Sequence, residues 1–77
     1  MEILADWLSF SRKQLYVGMK CLSYKGNIGY ITKIELDQYY NIDDQEANPI
    51  YTITWDHGGQ SINAYFFMEE IKIFIES

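Results

Sequence analysis

From residue 17 onward, apolar and polar side chains alternate in short segments that are separated by glycine-containing turns. An alternation with a period of two is typical of strands that bury one face. It is clearest where Tyr51, Ile53 and Trp55 share a face just before the turn Asp56-His57-Gly58-Gly59. The pattern predicts strands near residues 19–24, 29–36, 50–55, 60–66 and 71–75.

Two local features refine this prediction. The tripeptide Lys25-Gly26-Asn27 is expected to form the turn between the first two strands, because glycine and asparagine tolerate the backbone angles of tight turns. In the second strand, Ile31 and Ile34 have opposite parity. If both are buried, a β-bulge is expected near Thr32 and Lys33.

The first 16 residues show a different pattern. Ile3, Leu4, Trp7, Leu8 and Leu15 follow the spacing of one helical stripe. A helix of about 12 residues is marginal by itself, so it must pack on the rest of the domain or on a partner. A homodimer through this helix, which would use Trp7, Leu8 and Phe10, is one such arrangement.

These elements predict one mostly β domain. An N-terminal helix over 1–16 precedes a small five-stranded antiparallel barrel, partly open, over 17–77. The polar and acidic segment 37–49 is predicted to be a long loop, and it contains the aromatic pair Tyr39 and Tyr40. Long loops in compact domains are commonly functional or disordered, so this pair is a candidate for partner binding.

Charge is unevenly distributed along the chain. The net charge is −5, but residues 1–34 hold five basic and two acidic residues, a charge of +3, whereas residues 35–77 hold one basic and nine acidic residues, a charge of −8. Nucleic acid is therefore an unlikely partner, since affinity for the phosphate backbone comes from clustered Lys and Arg. A basic or cationic protein segment is favoured instead.

Residues that carry chemistry are few. Cys21 is the only cysteine and His57 the only histidine, so neither a disulfide framework nor a common zinc set is available. No nucleophile elbow or phosphate-binding loop occurs. We expect no enzyme, no cofactor and no metal. The acidic N-terminus does not resemble a signal peptide and no apolar run is long enough for a membrane span, so a cytoplasmic protein is expected.

Several short motifs carry a resemblance to a known superfamily. They are Gly18-Met19-Lys20-Cys21, Gly29-Tyr30-Ile31-Thr32-Lys33-Ile34, Tyr51-Thr52-Ile53-Thr54-Trp55-Asp56-His57-Gly58 and Glu70-Ile71. In this order they resemble the SH3-like barrel superfamily of Tudor, KOW and mind-bomb-type domains, over residues 17–75. The sequence departs from a Tudor domain at His57, which stands where the "D-Y-G" turn has tyrosine.

The resemblance implies recognition without chemistry. Such domains bind peptides, modified basic residues or nucleic acid at one end of the barrel, with aromatic residues from strand ends and loops. The positions that match this surface are Tyr24, Tyr30, Trp55, Asp56 and Tyr65. A large ring at a strand end more often closes a small barrel than binds a ligand, so packing is the favoured role for Trp55.

Three functions are compatible with these observations. The first is a protein-interaction module that binds a basic or cationic segment through an aromatic and acidic face. The second is a small acidic inhibitor or immunity-type protein, of phage or bacterial origin, that blocks a nucleic-acid enzyme. The third is a KOW-like RNA-binding domain with Lys20, Lys25 and Lys33 as its contacts.

Overall fold

The computed structural model of the chain describes residues 1–37 and 48–76, except for the side chains of residues 36, 37 and 48. It contains six strands and three single-turn 3₁₀ helices in this part of the chain. The strands are β1 Glu2–Asp6, β2 Lys20–Leu22, β3 Ile28–Asp37, β4 Asn48–Trp55, β5 Gln60–Ala64 and β6 Lys72–Glu76. The 3₁₀ helices are η1 Trp7–Ser9, η2 Arg12–Gln14 and η3 Tyr65–Phe67.

All six strands belong to one antiparallel sheet with the order β1-β6-β2-β3-β4-β5. Strands β2 to β5 follow one another as a meander, and β6 returns to pair with β2. The mostly β prediction is confirmed, and each of the five predicted strands corresponds to one of β2 to β6. The expected closure into a barrel is not found within the described residues, because β1 and β5 remain the two edges of an open sheet.

The N-terminal helix prediction is wrong. Residues 2–6 form β1, which pairs with β6 from Glu2 opposite Glu76 to Asp6 opposite Lys72, and two separate 3₁₀ turns follow. A short helix would leave the edge of β6 unpaired, whereas β1 satisfies its backbone groups. Of the predicted stripe, only Trp7 and Leu15 are buried. A dimer through an N-terminal helix therefore has no structural basis.

The core lies on the inner face of the sheet. The N-terminal segment contributes to it, because Trp7 is fully buried and its ring meets that of Tyr51 edge to face at a centroid distance of 4.9 Å. Aromatic pairs in this geometry add to the stabilisation from buried area. Residues 1–16 thus share one core with the sheet. Its buried hydrophobic residues are Trp7, Leu15, Met19, Cys21, Ile31, Tyr51, Ile53, Trp55, Tyr65, Met68 and Ile73.

The predicted bulge in the second strand of the meander is confirmed. The register between β3 and β4 shifts between Ile31 and Lys33, so that Ile31 pairs with Ile53 and Ile34 pairs with Tyr51. Because Ile53 and Tyr51 share a face, the shift brings both isoleucines to the core side.

The described residues include no helix that is long and apolar enough to cross a lipid bilayer.

Candidate functional site

A surface cleft of about 400 Å³ is formed where three chain segments meet. Its lining comes from the β2–β3 turn at residues 23–27, from the β4–β5 turn and β5 at residues 55–63, and from residues 67–71 before β6. Loops held at one end of a rigid sheet commonly carry binding sites. We call this feature the aromatic cleft, because Tyr24, Trp55, His57 and Phe67 line it.

The β2–β3 turn is held in place by a serine. The Ser23 hydroxyl oxygen accepts hydrogen bonds from the backbone N–H groups of Lys25 at 3.2 Å and Asn27 at 3.1 Å. Gly26 completes the turn with a φ of 89°, a conformation that glycine adopts without strain. This arrangement presents Tyr24 to solvent, and the Lys25 ammonium lies 5.7 Å from the centroid of its ring.

The β4–β5 turn is a tight loop that also lines the cleft. The Trp55 N–H donates to the Gly59 carbonyl at 2.8 Å, and the Gly58 N–H donates to the Trp55 carbonyl at 2.9 Å. Gly58 has a φ of 94°. The His57 ring folds back over the turn, where its Nδ1 accepts the Gly59 N–H at 3.2 Å. The turn therefore holds His57 beside the cleft.

Asp56 connects the two turns through hydrogen bonds. Its backbone N–H donates to the Ile28 carbonyl at 2.8 Å, and its carboxylate accepts the Ile28 N–H at 3.2 Å. Because Ile28 begins β3, this reciprocal pair ties the β4–β5 turn to the end of the β2–β3 turn. Asp56 thereby positions the walls of the aromatic cleft, and it does not line the cleft itself.

Trp55 forms the inner wall of the cleft. Its side chain is only 7% exposed, and its indole Nε1–H donates to the Ser61 hydroxyl at 2.8 Å. A Cβ on Gly29 would lie 2.5 Å from the Trp55 ring, so glycine is required for the ring to pack against β3. Packing thus accounts for most of the Trp55 surface, and only a small part of it faces the cleft.

Two aromatic side chains project into solvent at the cleft. Tyr24 is 71% exposed and Phe67 is 77% exposed. Glu70 lines the same cleft and provides a carboxylate, while Lys25 provides an ammonium group next to Tyr24. Exposed aromatic rings together with a carboxylate suit a cationic group, since a ring face and a negative charge both attract it.

The structure brings together only part of the predicted surface. Tyr24 and Trp55 line the cleft and Asp56 supports it. Tyr30 is exposed but does not line the cleft, because it stands opposite Lys20 and Thr54 on the outer face of the sheet. Tyr65 is in the core, where its hydroxyl donates to the carbonyls of Phe10 and Leu8. Tyr39 and Tyr40 lie outside the described residues.

Phe67 and Glu70 were not predicted to take part in a site. The available signal was the run Tyr65-Phe66-Phe67, which contains more aromatic residues than one strand end can bury on a single face. The predicted strand 60–66 instead ends at Ala64, and the 3₁₀ turn η3 sends Tyr65 inward and Phe67 outward.

Cys21 is buried and takes no part in the cleft. Burial raises the pKa of its thiol to about 12, with a smaller opposing effect from a hydrogen bond involving the Ile31 backbone. A thiol with so high a pKa is a poor nucleophile.

Within residues 1–37 and 48–76, no three His, Cys, Asp or Glu side chains come together in a way that could hold a metal ion.

Comparison with known proteins adds no further assignment, since no protein-family model, curated protein or solved structure matches this chain.

Proposed function

We propose that the protein is a non-catalytic interaction module that binds a basic segment of another protein in the aromatic cleft. The observation that carries the proposal is the presence of two strongly exposed aromatic side chains, Tyr24 and Phe67, in a cleft that also holds the Glu70 carboxylate. Exposed aromatic groups beside a concave surface are typical of binding sites.

The aromatic rings provide the contact area of the proposed site. An arginine or lysine side chain that enters the cleft can lie over the ring of Tyr24 or Phe67 and gain about 0.5 to 2 kcal/mol from cation–π attraction. Lys25 already has its ammonium 5.7 Å from the centroid of the Tyr24 ring. A ligand cation would compete with Lys25 for this ring, so removing the lysine should improve binding.

The overall charge of the chain favours the approach of a basic ligand over a long range. The net charge of −5 attracts cations during encounter, and Glu70 offers a partner once the ligand is bound. The RNA-binding alternative receives less support, because two of its three lysines are paired with acidic residues: Lys33 with Glu35 at 2.5 Å and Lys20 with Glu2 at 3.4 Å. Lysines that are neutralised by their own chain release few counterions from a nucleic acid.

The finer fold assignment belongs to the same proposal. We infer that β2 to β6 correspond to an SH3-like module to which β1 is added beside β6. The meander from β2 to β5, the return of β6 to β2 and the turn η3 before β6 support this correspondence. Such modules bind their partners at one end of the sheet, and the formation of the aromatic cleft by turns supports the same location here.

The proposal is tested with a fluorescein-labelled peptide in which four arginines alternate with glycines. We expect its anisotropy to rise on addition of the protein, with an affinity that weakens as salt increases. Tyr24→Ala should weaken binding about tenfold, since one cation–π contact is lost. Tyr16→Ala is the matched control, because Tyr16 is also an exposed tyrosine but lies outside the cleft.

Two charge variants make the test specific to the cleft. Glu70→Gln should weaken binding and Lys25→Gln should strengthen it, whereas Glu69→Gln should change it little because Glu69 does not line the cleft. A peptide with citrulline in place of arginine should not bind, since it keeps the shape and loses the charge. Equal effects of Tyr24→Ala and Tyr16→Ala, or equal binding of the citrulline peptide, would contradict the proposal.

A further inference from the structure

Strand β1 has one unpaired edge in the described part of the chain. It pairs with β6 on one side only, and it is the first strand in the order of the sheet. Its five residues, Glu2–Asp6, include no proline, glycine or lysine. Proteins usually protect such edges with proline, lysine, a bulge or a covering segment, because an open edge pairs readily with another strand.

The backbone groups that point toward this edge follow from the hydrogen-bond pattern. The Trp7 N–H donates to the Ile71 carbonyl at 3.0 Å, directly after the pair Asp6 and Lys72. Opposed residues in an antiparallel pair alternate between bonded and non-bonded, so Ala5 and Ile3 direct their backbone groups to β6. Glu2, Leu4 and Asp6 must direct theirs to the free edge.

The side chains at this edge are apolar on both faces of the sheet. Ile3 is 49% exposed and Leu4 is 47% exposed, and they point to opposite faces because they are consecutive in a strand. Ile3 stands opposite Ile75, and Leu4 stands opposite Phe74. The edge therefore combines unpaired backbone groups with exposed apolar surface, which a further strand could cover.

Charge at the edge favours a second copy of the chain over a basic peptide. Glu2 is 3.4 Å from the Lys20 ammonium, and Asp6 is paired with Lys72. At the end of β6, Glu76 is 3.7 Å from the N-terminal amino group. Each acidic residue at the edge already has a cation of its own chain, so a basic partner would gain little there. A second copy brings the same paired charges to the edge, so it adds no unpaired carboxylate there.

We propose that two copies of the chain pair through β1 in an antiparallel manner, with the two-fold axis at Leu4. In this register Leu4 stands opposite the partner's Leu4, and the two residues exchange both backbone hydrogen bonds. Ile3 lies beside the partner's Ala5. Glu2 lies beside the partner's Asp6, where Lys20 and the partner's Lys72 accompany the two carboxylates. The result is one continuous sheet across both copies.

The Asp6 carbonyl is compatible with this register although it is already engaged. It accepts the Ser9 hydroxyl at 2.6 Å, and a carbonyl oxygen has two lone pairs, so it can also accept a strand hydrogen bond. The Ser9 contact marks the end of the pairing edge, because the chain turns into η1 at Trp7. All five residues of β1 can therefore pair, and a shifted register would leave some of them unpaired.

Measurement of molar mass against concentration tests the proposal. Sedimentation equilibrium of the whole chain should give a mass that approaches twice the 9.1 kDa of one chain as concentration rises. Leu4→Lys should raise the dissociation constant by about tenfold or more, because like charges meet at the axis. Ile62→Lys is the matched control on the other edge strand, β5, and should leave the dissociation constant unchanged.

Cross-linking provides a test that does not depend on charge. Directly opposed residues in a bonded pair have Cα atoms about 5.5 Å apart, within the range of a disulfide. Leu4→Cys should form a disulfide-linked dimer on mild oxidation and Ile62→Cys should not, while Cys21 stays unreactive because it is buried. A monomer at all concentrations, or a dimer that responds to Ile62→Lys and not to Leu4→Lys, would overturn the proposal.

Discussion

At the scale of single residues, the two core tyrosines differ in whether the side-chain hydroxyl has a hydrogen-bond partner. The Tyr65 hydroxyl donates to the carbonyls of Phe10 and Leu8. The Tyr51 hydroxyl is buried and has no hydrogen-bond partner among the described residues, and burial also raises its pKa. A buried hydroxyl without a partner costs about 1 to 3 kcal/mol relative to a paired one, so the two tyrosines should respond to the same substitution in opposite ways.

We therefore predict that Tyr51→Phe leaves the free energy of unfolding unchanged or raises it by about 1 kcal/mol, because it removes an unpaired polar atom. Tyr65→Phe should lower it by about 1 kcal/mol, because two carbonyls lose their donor. Urea unfolding of both variants measures the difference. A marked loss of stability in Tyr51→Phe would show that its hydroxyl has a partner in the folded protein.

At the scale of elements, the N-terminal segment shows how one apolar pattern can fit two structures. The spacing of the apolar residues Ile3, Leu4, Trp7 and Leu8 matches a helical stripe. In the structure the same residues form a strand and the 3₁₀ turn that follows it. The free edge of β6 decides between them, since β1 satisfies its backbone groups. In the resulting structure Trp7 is fully buried, whereas Leu8 is 42% exposed.

A pair of substitutions distinguishes the strand from the helix. Trp7→Ala should lower the free energy of unfolding by about 3 to 5 kcal/mol, which removes most of the stability of a domain this small. Leu8→Ala should cost only about 1 kcal/mol, because Leu8 is 42% exposed and lies outside the buried core. A helical stripe would make the two positions comparably important, so similar losses in thermal unfolding would contradict the strand.

At the same scale, the local sequence predicted the strands and turns of the meander correctly, but it did not predict where the last strand, β5, ends. Glycines placed the turns at Gly26 and Gly58, and the change of parity between Ile31 and Ile34 placed the bulge. These are interactions between residues that are close in sequence or directly opposed in one hairpin. The end of β5 at Ala64 was missed, because the inward position of Tyr65 depends on Trp7 and Tyr51.

At the scale of the whole molecule, global stability at alkaline pH is tied to the buried thiol. The pKa of Cys21 is raised from 9.0 to about 12 by burial, so the folded state holds the thiol proton more tightly than the unfolded state does. The corresponding stability is complete below pH 9 and is lost as the pH rises toward 12. The slope from this one group is at most about 1.4 kcal/mol per pH unit.

We predict that the stability advantage of the wild type over Cys21→Ala narrows between pH 9 and pH 12. The comparison cancels the titration of tyrosines and lysines, which both proteins share. Denaturant unfolding at several pH values measures the difference. An advantage that is constant over this interval would mean that Cys21 titrates alike in the folded and unfolded chain.

The β1 dimer and the aromatic cleft are connected at this scale. If two copies pair through β1, each dimer carries two aromatic clefts, and a partner with two basic segments could bind both. Linked binding of this kind raises overall affinity without any new contact, provided that the segments span the two sites. The Leu4→Lys variant separates the effects, because it should lose the bivalent gain while each cleft keeps its affinity for a single basic peptide.

The sequence alone determined the strands of the meander, their turns and the polarised charge, because strand period, glycine conformation and formal charge are local properties. It also identified Tyr24 and Trp55 as candidates for the binding surface. Long-range packing is responsible for the strand at residues 2–6, for the position of Tyr65 in the core and for the place of Phe67 and Glu70 in the aromatic cleft. Each of these outcomes depends on which edges and faces remain free after distant segments have packed, and no local pattern contains that information.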